Sequence, residues 1–502
     1  MPARTDATQL LHAPDRIFVD GSWAVPSAAA HFEVVDSATE EICYSVAAAS
    51  ASDVDRAVTA ASRAFEDGPW PRLSPAERAG HLRVIADEIE QRIPEFAEIW
   101  PRQSGILHRS ATASTGLIPG VFRAHAELAG SFGFIERPAG RLQPDSVLVR
   151  EPVGVVGAII PWNAPLFLIA HKLAPALLAG CTVVLKAAPE APGEAYLFAE
   201  VAEAAGLPPG VVNVLAADRD VSERLVRDPR VDKISFTGST AAGRRIAGVM
   251  SERIGRVTLE LGGKSAAVVL DDFDPAEAAR SLAATGCSIT GQVCASITRV
   301  IVSRARHDEF VEAMADAYRA ITVGDPFAAE SDMGPLAMSR QRDRVEGLIA
   351  DGVAGGARLV TGGRRPPGLD RGFFIEPTLF AHVDNSSTIA QEEIFGPVMS
   401  VIPVDRDSDA VRVANDSIYG LNSAVFTHDL RRAAEIARRL RAGTVGHNGF
   451  RTDFGVAFGG FKQSGLGREG GREGLLPYLE TKTVVPDPRD PALSSYLGGA
   501  TS

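Results

Sequence analysis

A chain of 502 residues, 45% hydrophobic and 23% charged, has the make-up of a globular protein of roughly two or three domains. Its net charge of −12 excludes a nucleic-acid backbone as principal ligand, and no apolar run reaches the ~20 residues needed to span a bilayer. The four cysteines, Cys43, Cys181, Cys287 and Cys294, have neither disulfide-framework nor zinc-site spacing, so no metal is expected, and with no apolar leader a cytoplasmic protein with reduced thiols is.

In chain order, residues 52–93 carry Ala, Arg and Glu at helical spacing, and SPAER (74–78) reads as a helix start with Ser74 as cap. RPAGRLQPDSVLVRE (137–151) is a short extended alternation. From 153 the pattern becomes repeated βα units. VGVVGAII (153–160) is a buried strand, and the helix after it is closed by Gly180. CTVVLK (181–186) is the next strand, GEAYLFAEVAEAAG (193–206) a helix, VVNVL (211–215) a third strand and VDKISF (231–236) a fourth, which runs into another helix. Strands alternating with helices in this way call for a doubly wound parallel sheet. A second α/β pattern begins near Arg256, with strands at VTLEL, AAVVL and RVIV and helices near 275–285 and 308–320. RRAAEIARRLRAG (431–443) reads as a solvated helix face. The tail YLETKTVVPDP (478–488) is extended again, and paired with 137–151 it would form an oligomerisation sheet.

Several stretches carry chemistry. Gly238-Ser239-Thr-Ala-Ala-Gly243 follows a strand and opens a helix, where backbone N–H groups attract phosphate; a plain glycine-relieved turn explains it equally well. Lys186 ends the second strand, where dinucleotide folds touch the ribose, although taken alone a surface lysine explains it better. Cys294 lies among small residues in TGQVCAS, a setting that exposes a thiol, although a lone cysteine is more often an inert core residue. Glu260 sits between Leu259 and Leu261, and a desolvated carboxylate there is a candidate base, with an ion pair to Lys264 or Arg256 as the alternative. Asn163, in IPWNAP after the first strand, offers an amide donor to a developing oxyanion, with a plain turn asparagine as the alternative.

Taken in order, IIPWNAPL (159–166), FTGST (236–240), LELGGK (259–264), GQVCA (291–295), EEIFGPV (392–398), NDSIYGL (415–421) and FGGFKQSGLGRE (458–469) resemble the aldehyde dehydrogenase superfamily, over about 18–483. The resemblance implies an α/β fold with a Rossmann-like parallel-sheet cofactor domain (1–130 and 152–258), an α/β catalytic domain (259–470) and a small β oligomerisation arm and tail (131–151 and 471–502), assembled as a homodimer or homotetramer. It also implies roles. Cys294 is the nucleophile, Glu260 the general base, and Asn163 with the Cys294 N–H the oxyanion hole. Trp162 and Ser239 go to the pyrophosphate, Lys186 to the ribose, and Glu393 with Phe395 to the nicotinamide, with Ile159, Gly238 and Gly243 completing the cofactor site. NAD is the cofactor expected. The family's ribose-side glutamate is displaced in Lys186-Ala-Ala-Pro189-Glu190, which keeps NADP open, and the usual glycine-rich turn after the third strand is replaced by AADRDV (216–221).

The substrate tunnel is expected at Ala164, Leu168, His171, Val293, Ala295, Thr452 and Phe458. Small or polar residues at Ala164, His171 and Thr452, where many relatives are aromatic, imply a roomy apolar tunnel for a bulky or medium-to-long-chain hydrophobic aldehyde. A semialdehyde, with Arg451 and His447 greeting its carboxylate, is one alternative. Transfer of the acyl group to coenzyme A is another, and Glu260 argues against it.

Overall fold

The computed structural model describes residues 9–138, 140, 145–487, 489 and 493. Parts of the segments read as an arm, 139, 141–144, 488, 490–492 and 494–502, lie outside the described residues, as do 1–8.

Two large sheets organise the chain. In the first, five strands run parallel in the order Arg256–Glu260, Lys233–Thr237, Val155–Ile159, Thr182–Ala187, Val212–Ala216. Antiparallel edge strands close it, Gly465–Leu466 on one side and Ile17–Val19 with Ser22–Ala24 on the other. The β-branched runs read from sequence form these strands within about two residues of the expected bounds, the usual uncertainty of element ends. The helix Pro165–Ala179 ends at Gly180, whose φ of 97° is the left-handed cap that glycine adopts at no steric cost. Ser74 caps Pro75–Gln91 in a reciprocal box: its side chain accepts from the Glu77 N–H while the Glu77 carboxylate accepts from the Ser74 N–H at 2.7 Å.

One strand departs from the sequence reading. Arg256–Glu260, taken as the start of the second α/β unit, pairs in parallel with Lys233–Thr237 and belongs to the first sheet. The helix Thr240–Ser251 is its crossover connection, so periodicity was right and only the partner was misjudged.

The second sheet orders Arg358–Thr361, Thr378–Ala381, Val398–Val404, Ile297–Ser303, Ser265–Val269, Asn422–Phe426 and Thr444–His447, all parallel except the first pair. A third, antiparallel sheet pairs Leu479–Val484 with Val147–Pro152, and the latter with Ile135–Glu136. The two extended stretches singled out in the sequence therefore pair with each other. The Arg-rich stretch is the helix Leu430–Arg439, which buries only Ala433 and Ile436.

Candidate active site

Parallel strands bring their C-terminal ends to one edge, and the pairing register sets the functional residues in a row there. Ile159 lies opposite Lys186 and Phe236, and Thr237 opposite Glu260. Beyond these ends the chain turns into Trp162-Asn163 on one strand and Gly238-Ser239 on its neighbour. Ser239 caps Thr240–Ser251, accepting from the Ala242 N–H, and the Gly238 N–H donates to the Glu260 carbonyl at 3.0 Å. Gly243 serves packing: a Cβ there would stand 2.5 Å from Leu261 Cδ2, so the helix lies close on the Leu261 segment only because this residue is glycine. Lys186 is buried, and desolvation pushes its ammonium down to about 8. Glu190, the displaced glutamate, is paired with Arg340 at 2.5 Å.

The segment carrying Cys294 enters through three left-handed residues, Ile289 (φ 46°), Thr290 (φ 55°) and Gly291 (φ 73°). Two of these are β-branched and strained, a conformation that persists only where the surroundings over-determine it. The Thr290 hydroxyl reaches the carbonyls of Gly334 and Pro335, both at 3.0 Å. Gln292 is pinned at both ends of its amide: Nε2 donates to the Ser104 and Ile289 carbonyls, and Oε1 accepts from the Ala337 N–H. Its own carbonyl accepts from Asn163 Nδ2 at 2.9 Å. That bond uses one amide hydrogen and orients the other.

Cys294 is half-buried beside Ala295, Leu421, Phe458, Phe450 and Phe454, rather than exposed as its small neighbours suggest. Burial first, then the nearby Glu393 and Glu260, push its thiol up to about 12. The Gly-Gly pair of LELGGK makes the packing possible. A Cβ on Gly263 would lie 2.4 Å from the Cys294 carbonyl, and one on Gly262 would collide with the Glu393 carboxylate. Glu393 accepts from the Gly263 N–H at 3.0 Å and is pushed up to about 7 by burial. Phe395, at a positive φ of 61°, meets Trp162 edge-on at 5.4 Å. Trp162 is thus brought to the Glu393–Phe395 end of the crevice.

Glu260 is buried, and neither carboxylate oxygen has a hydrogen-bond partner among the described residues. Arg256 pairs instead with Glu480 at 2.6 Å, and the buried Lys264 ammonium has no hydrogen-bond partner either, so the ion-pair alternative fails. Burial and then Glu469 raise the Glu260 carboxyl well above the usual range, opposed by Lys172 and Arg468. Gly459, at φ 149°, lets the backbone close on the carboxylate, since a Cβ there would lie 2.5 Å from Oε1. Behind Glu260, Lys172 and Glu469 form a fully buried pair at 2.6 Å. Sequence reasoning passed over this pair, although a lysine inside the apolar run 166–178 was a usable signal.

The tunnel residues divide. Ala295 and Phe458 pack beside Cys294, and Val293 and Thr452 are half-buried. Ala164 packs against Trp100, Ala97 and Ile106, and Leu168 packs in the large core of the first sheet. Two rings that the motifs do not contain, Phe167 and Phe454, stand against the expected tunnel residues His171 and Phe458. Phe454 stacks on Phe458 at 4.2 Å and meets Phe167 edge-on at 4.5 Å, with His171 4.3 Å from Phe167 and 4.7 Å from Phe454. His171 donates Nδ1–H to the Phe167 carbonyl at 2.8 Å and is buried among these rings, where desolvation lowers its pKa. His447 is engaged with the Thr427 carbonyl, and Arg451 is exposed.

Away from this site, His307, Asp308 and His382 lie close enough to hold a metal ion. The His382 N–H donates to His307 Nε2 at 3.2 Å, however, which leaves the proton on Nδ1, 2.8 Å from Asp308. That tautomer makes a hydrogen-bonded cluster rather than a ligand set.

A cysteine, an unpaired buried carboxylate and an oriented amide thus converge beside a crevice of dinucleotide-fold geometry. The aldehyde dehydrogenase family model matches residues 23–484. The chain belongs to that family. This aldehyde dehydrogenase is 44% identical over 469 residues to geranial dehydrogenase of Castellaniella defragrans, covering 93% of this chain and 98% of that one. Among solved structures it is similar to a Mycobacterium tuberculosis aldehyde dehydrogenase complexed with NAD+ (TM-score 0.92, 44% identity, 94% and 98% of the chains covered). It is also similar to aldehyde dehydrogenase C of Pseudomonas syringae, a mutant in complex with NAD+ and octanal (TM-score 0.91, 40% identity, 94% and 97% covered).

Proposed function

We propose that this enzyme oxidises a bulky or medium-to-long-chain hydrophobic aldehyde to its carboxylic acid with NAD, through a thioester on Cys294 that Glu260-activated water hydrolyses. The observation that carries the mechanism is the convergence of Cys294 with a buried Glu260 that has no hydrogen-bond partner. The substrate class is supported by the apolar rings packed with Cys294, Phe454 and Phe458, and by Phe167 against Phe454. One relative is named for geranial and another was crystallised with octanal, which agrees with this class, while a 42% identical relative is named for a semialdehyde and a 37% identical one for betaine aldehyde.

The donor set suits a dinucleotide. The N-terminus of Thr240–Ser251, at its Ser239 cap, would take the pyrophosphate, Lys186 the ribose hydroxyls, and Glu393 with the Trp162 and Phe395 rings the nicotinamide end. Bound NAD supplies the hydride acceptor. The protein's own part is covalent catalysis in two halves. The Cys294 thiol gives its proton to water as Sγ attacks the carbonyl carbon; the oxyanion of the resulting thiohemiacetal is held by the free hydrogen of Asn163 Nδ2 and by the Cys294 N–H. Once the thioester has formed, Glu260 takes a proton from water, and the hydroxide so generated expels the cysteine. Burial raises the Glu260 carboxyl, which makes its carboxylate a stronger base for that proton transfer. Lys172 paired with Glu469 keeps a compensated charge behind it.

The test is an aldehyde panel, covering aliphatic, terpenoid, aromatic and semialdehyde substrates, run with NAD and NADP and ranked by kcat/KM. Apolar aldehydes of six or more carbons with NAD should lead. A semialdehyde in first place would overturn the substrate class. Acyl-CoA as the main product when coenzyme A is added would overturn hydrolysis by Glu260. The antiparallel sheet of 135–136, 147–152 and 479–484 is proposed as the dimer or tetramer arm, which sizing of the purified enzyme tests.

A further inference from the structure

The helix Pro165–Ala179 begins one residue after Asn163-Ala164, so its first turn sets where the Asn163 amide points. A helix start leaves four N–H groups without internal partners, and Ser, Thr, Asp or Asn at the cap normally satisfies one. Here the cap position is Ala164, which has no side-chain acceptor. The acceptor comes from another helix. Glu194, fully buried near the start of Gly193–Ala204, takes the Leu166 N–H on Oε1 at 3.2 Å. Its other oxygen, Oε2, accepts from Gln103 Nε2 at 2.7 Å, and Gln103 Oε1 accepts in turn from Tyr44 OH at 2.5 Å and the Gly193 N–H at 3.4 Å. These N–H donors oppose burial, which still pushes the Glu194 carboxyl up to about 8.

One helix holds both sides of the turn. Gln103 and Trp100 lie three residues apart on Ile93–Ser104, hence on one face. Gln103 aims Glu194 at the Leu166 N–H, while Trp100 Nε1 donates to the Asn163 carbonyl at 2.8 Å. Asn163 is therefore clamped through its own carbonyl, through the helix start that follows it, and through its side chain on the Gln292 carbonyl. Glu194 touches neither Cys294 nor Glu260 through any hydrogen bond of the structure, so its action on the reaction runs through Asn163.

We propose that Glu194 is a positioning residue of the dehydrogenase reaction: as a remote cap on the helix Pro165–Ala179 it holds the Asn163 amide where the oxyanion forms. The inference rests on the oxyanion role proposed for Asn163. Replacing Glu194 by alanine leaves the Leu166 N–H and the Gln103 amide without their acceptor and frees the helix start to shift.

The test is a two-by-two set, Glu194→Ala, Asn163→Ala and the double variant, read by the single-turnover rate of NADH formation with octanal and saturating NAD. Glu194→Ala should slow that rate about tenfold when Asn163 is present and by less than about twofold in the Asn163→Ala background, where no amide remains to be misplaced. Glu194→Gln keeps an acceptor for Leu166, and Gln103 can turn its amide over toward the Tyr44 oxygen with loss of only the long bond from the Gly193 N–H, so the rate should return to within about threefold of the parent. A purely structural role predicts equal losses in both backgrounds; that result, or an unslowed Glu194→Ala, overturns the proposal. Asn163→Ala alone reports separately on the oxyanion assignment, and an undiminished rate there would remove that assignment together with this one. If Glu194→Ala does not fold, Gln103→Leu, which removes the donor that aims the carboxyl, carries the same comparison.

Discussion

Glu260 and Glu194 are both buried carboxyls in the first sheet's half of the molecule, and burial raises both. What separates them is their partners. Glu194 has an N–H for each oxygen and is held as a strut; Glu260 has none and is crowded by Glu469. The thiols teach the same lesson: burial pushes Cys181 up to about 11 and both Cys287 and Cys294 up to about 12, yet only Cys294 stands beside an unpaired carboxylate and an oriented amide. A shifted pKa marks burial, and the unsatisfied group beside a nucleophile marks chemistry.

The sharpest way to break this contrast is at the nucleophile. Cys294→Ala should lower turnover by at least about 10⁴-fold while NAD affinity, measured by fluorescence titration, stays within about twofold. Cys287→Ala, in contrast, should keep full activity, since its thiol is a core filler. Asn163→Ala should cost about 10²-fold in the single-turnover rate, the scale of a lost oxyanion donor. Phe454→Ala opens the ring cluster beside Cys294 and should raise KM for octanal about tenfold with kcat nearly kept, because the ring binds ground and transition states alike.

The smallest effect concerns pH and stability. Because the folded Glu260 carboxyl is raised, the native state binds a proton more tightly than the unfolded chain. Its contribution to stability is present at acid pH and is lost as pH rises from the ordinary carboxylate range through the raised value. Glu260→Gln removes the titrating group, so its Tm should exceed the parent's at pH 8 by more than at pH 5; a constant difference would put the ionisation elsewhere. Thioester hydrolysis runs in the opposite direction, falling as pH drops and the base becomes protonated.

Much of this was legible because the chemistry sits in short local motifs. LELGGK places Glu260 at a strand end, with Gly262 and Gly263 making room for Glu393 and the Cys294 carbonyl, and GQVCA follows a strained turn. What the sequence hid is what long-range packing decides. Glu469 meets Lys172 across almost 300 residues, Phe454 meets Phe167, and Glu194 caps a helix it does not belong to. Arg256–Glu260 was assigned to the wrong sheet for the same reason, since periodicity names a strand but not its neighbour. The cap is the most instructive omission: an alanine at a helix start signals that the missing acceptor must come from elsewhere in the fold.

The most direct measurement of the central claim is intact-protein mass spectrometry of Glu260→Gln mixed with NAD and octanal, alongside the NADH released. Acylation without efficient hydrolysis predicts about one equivalent of NADH per active site, followed by slow turnover and accumulation of an octanoyl adduct on Cys294. Steady turnover at the parental rate with no adduct would contradict it.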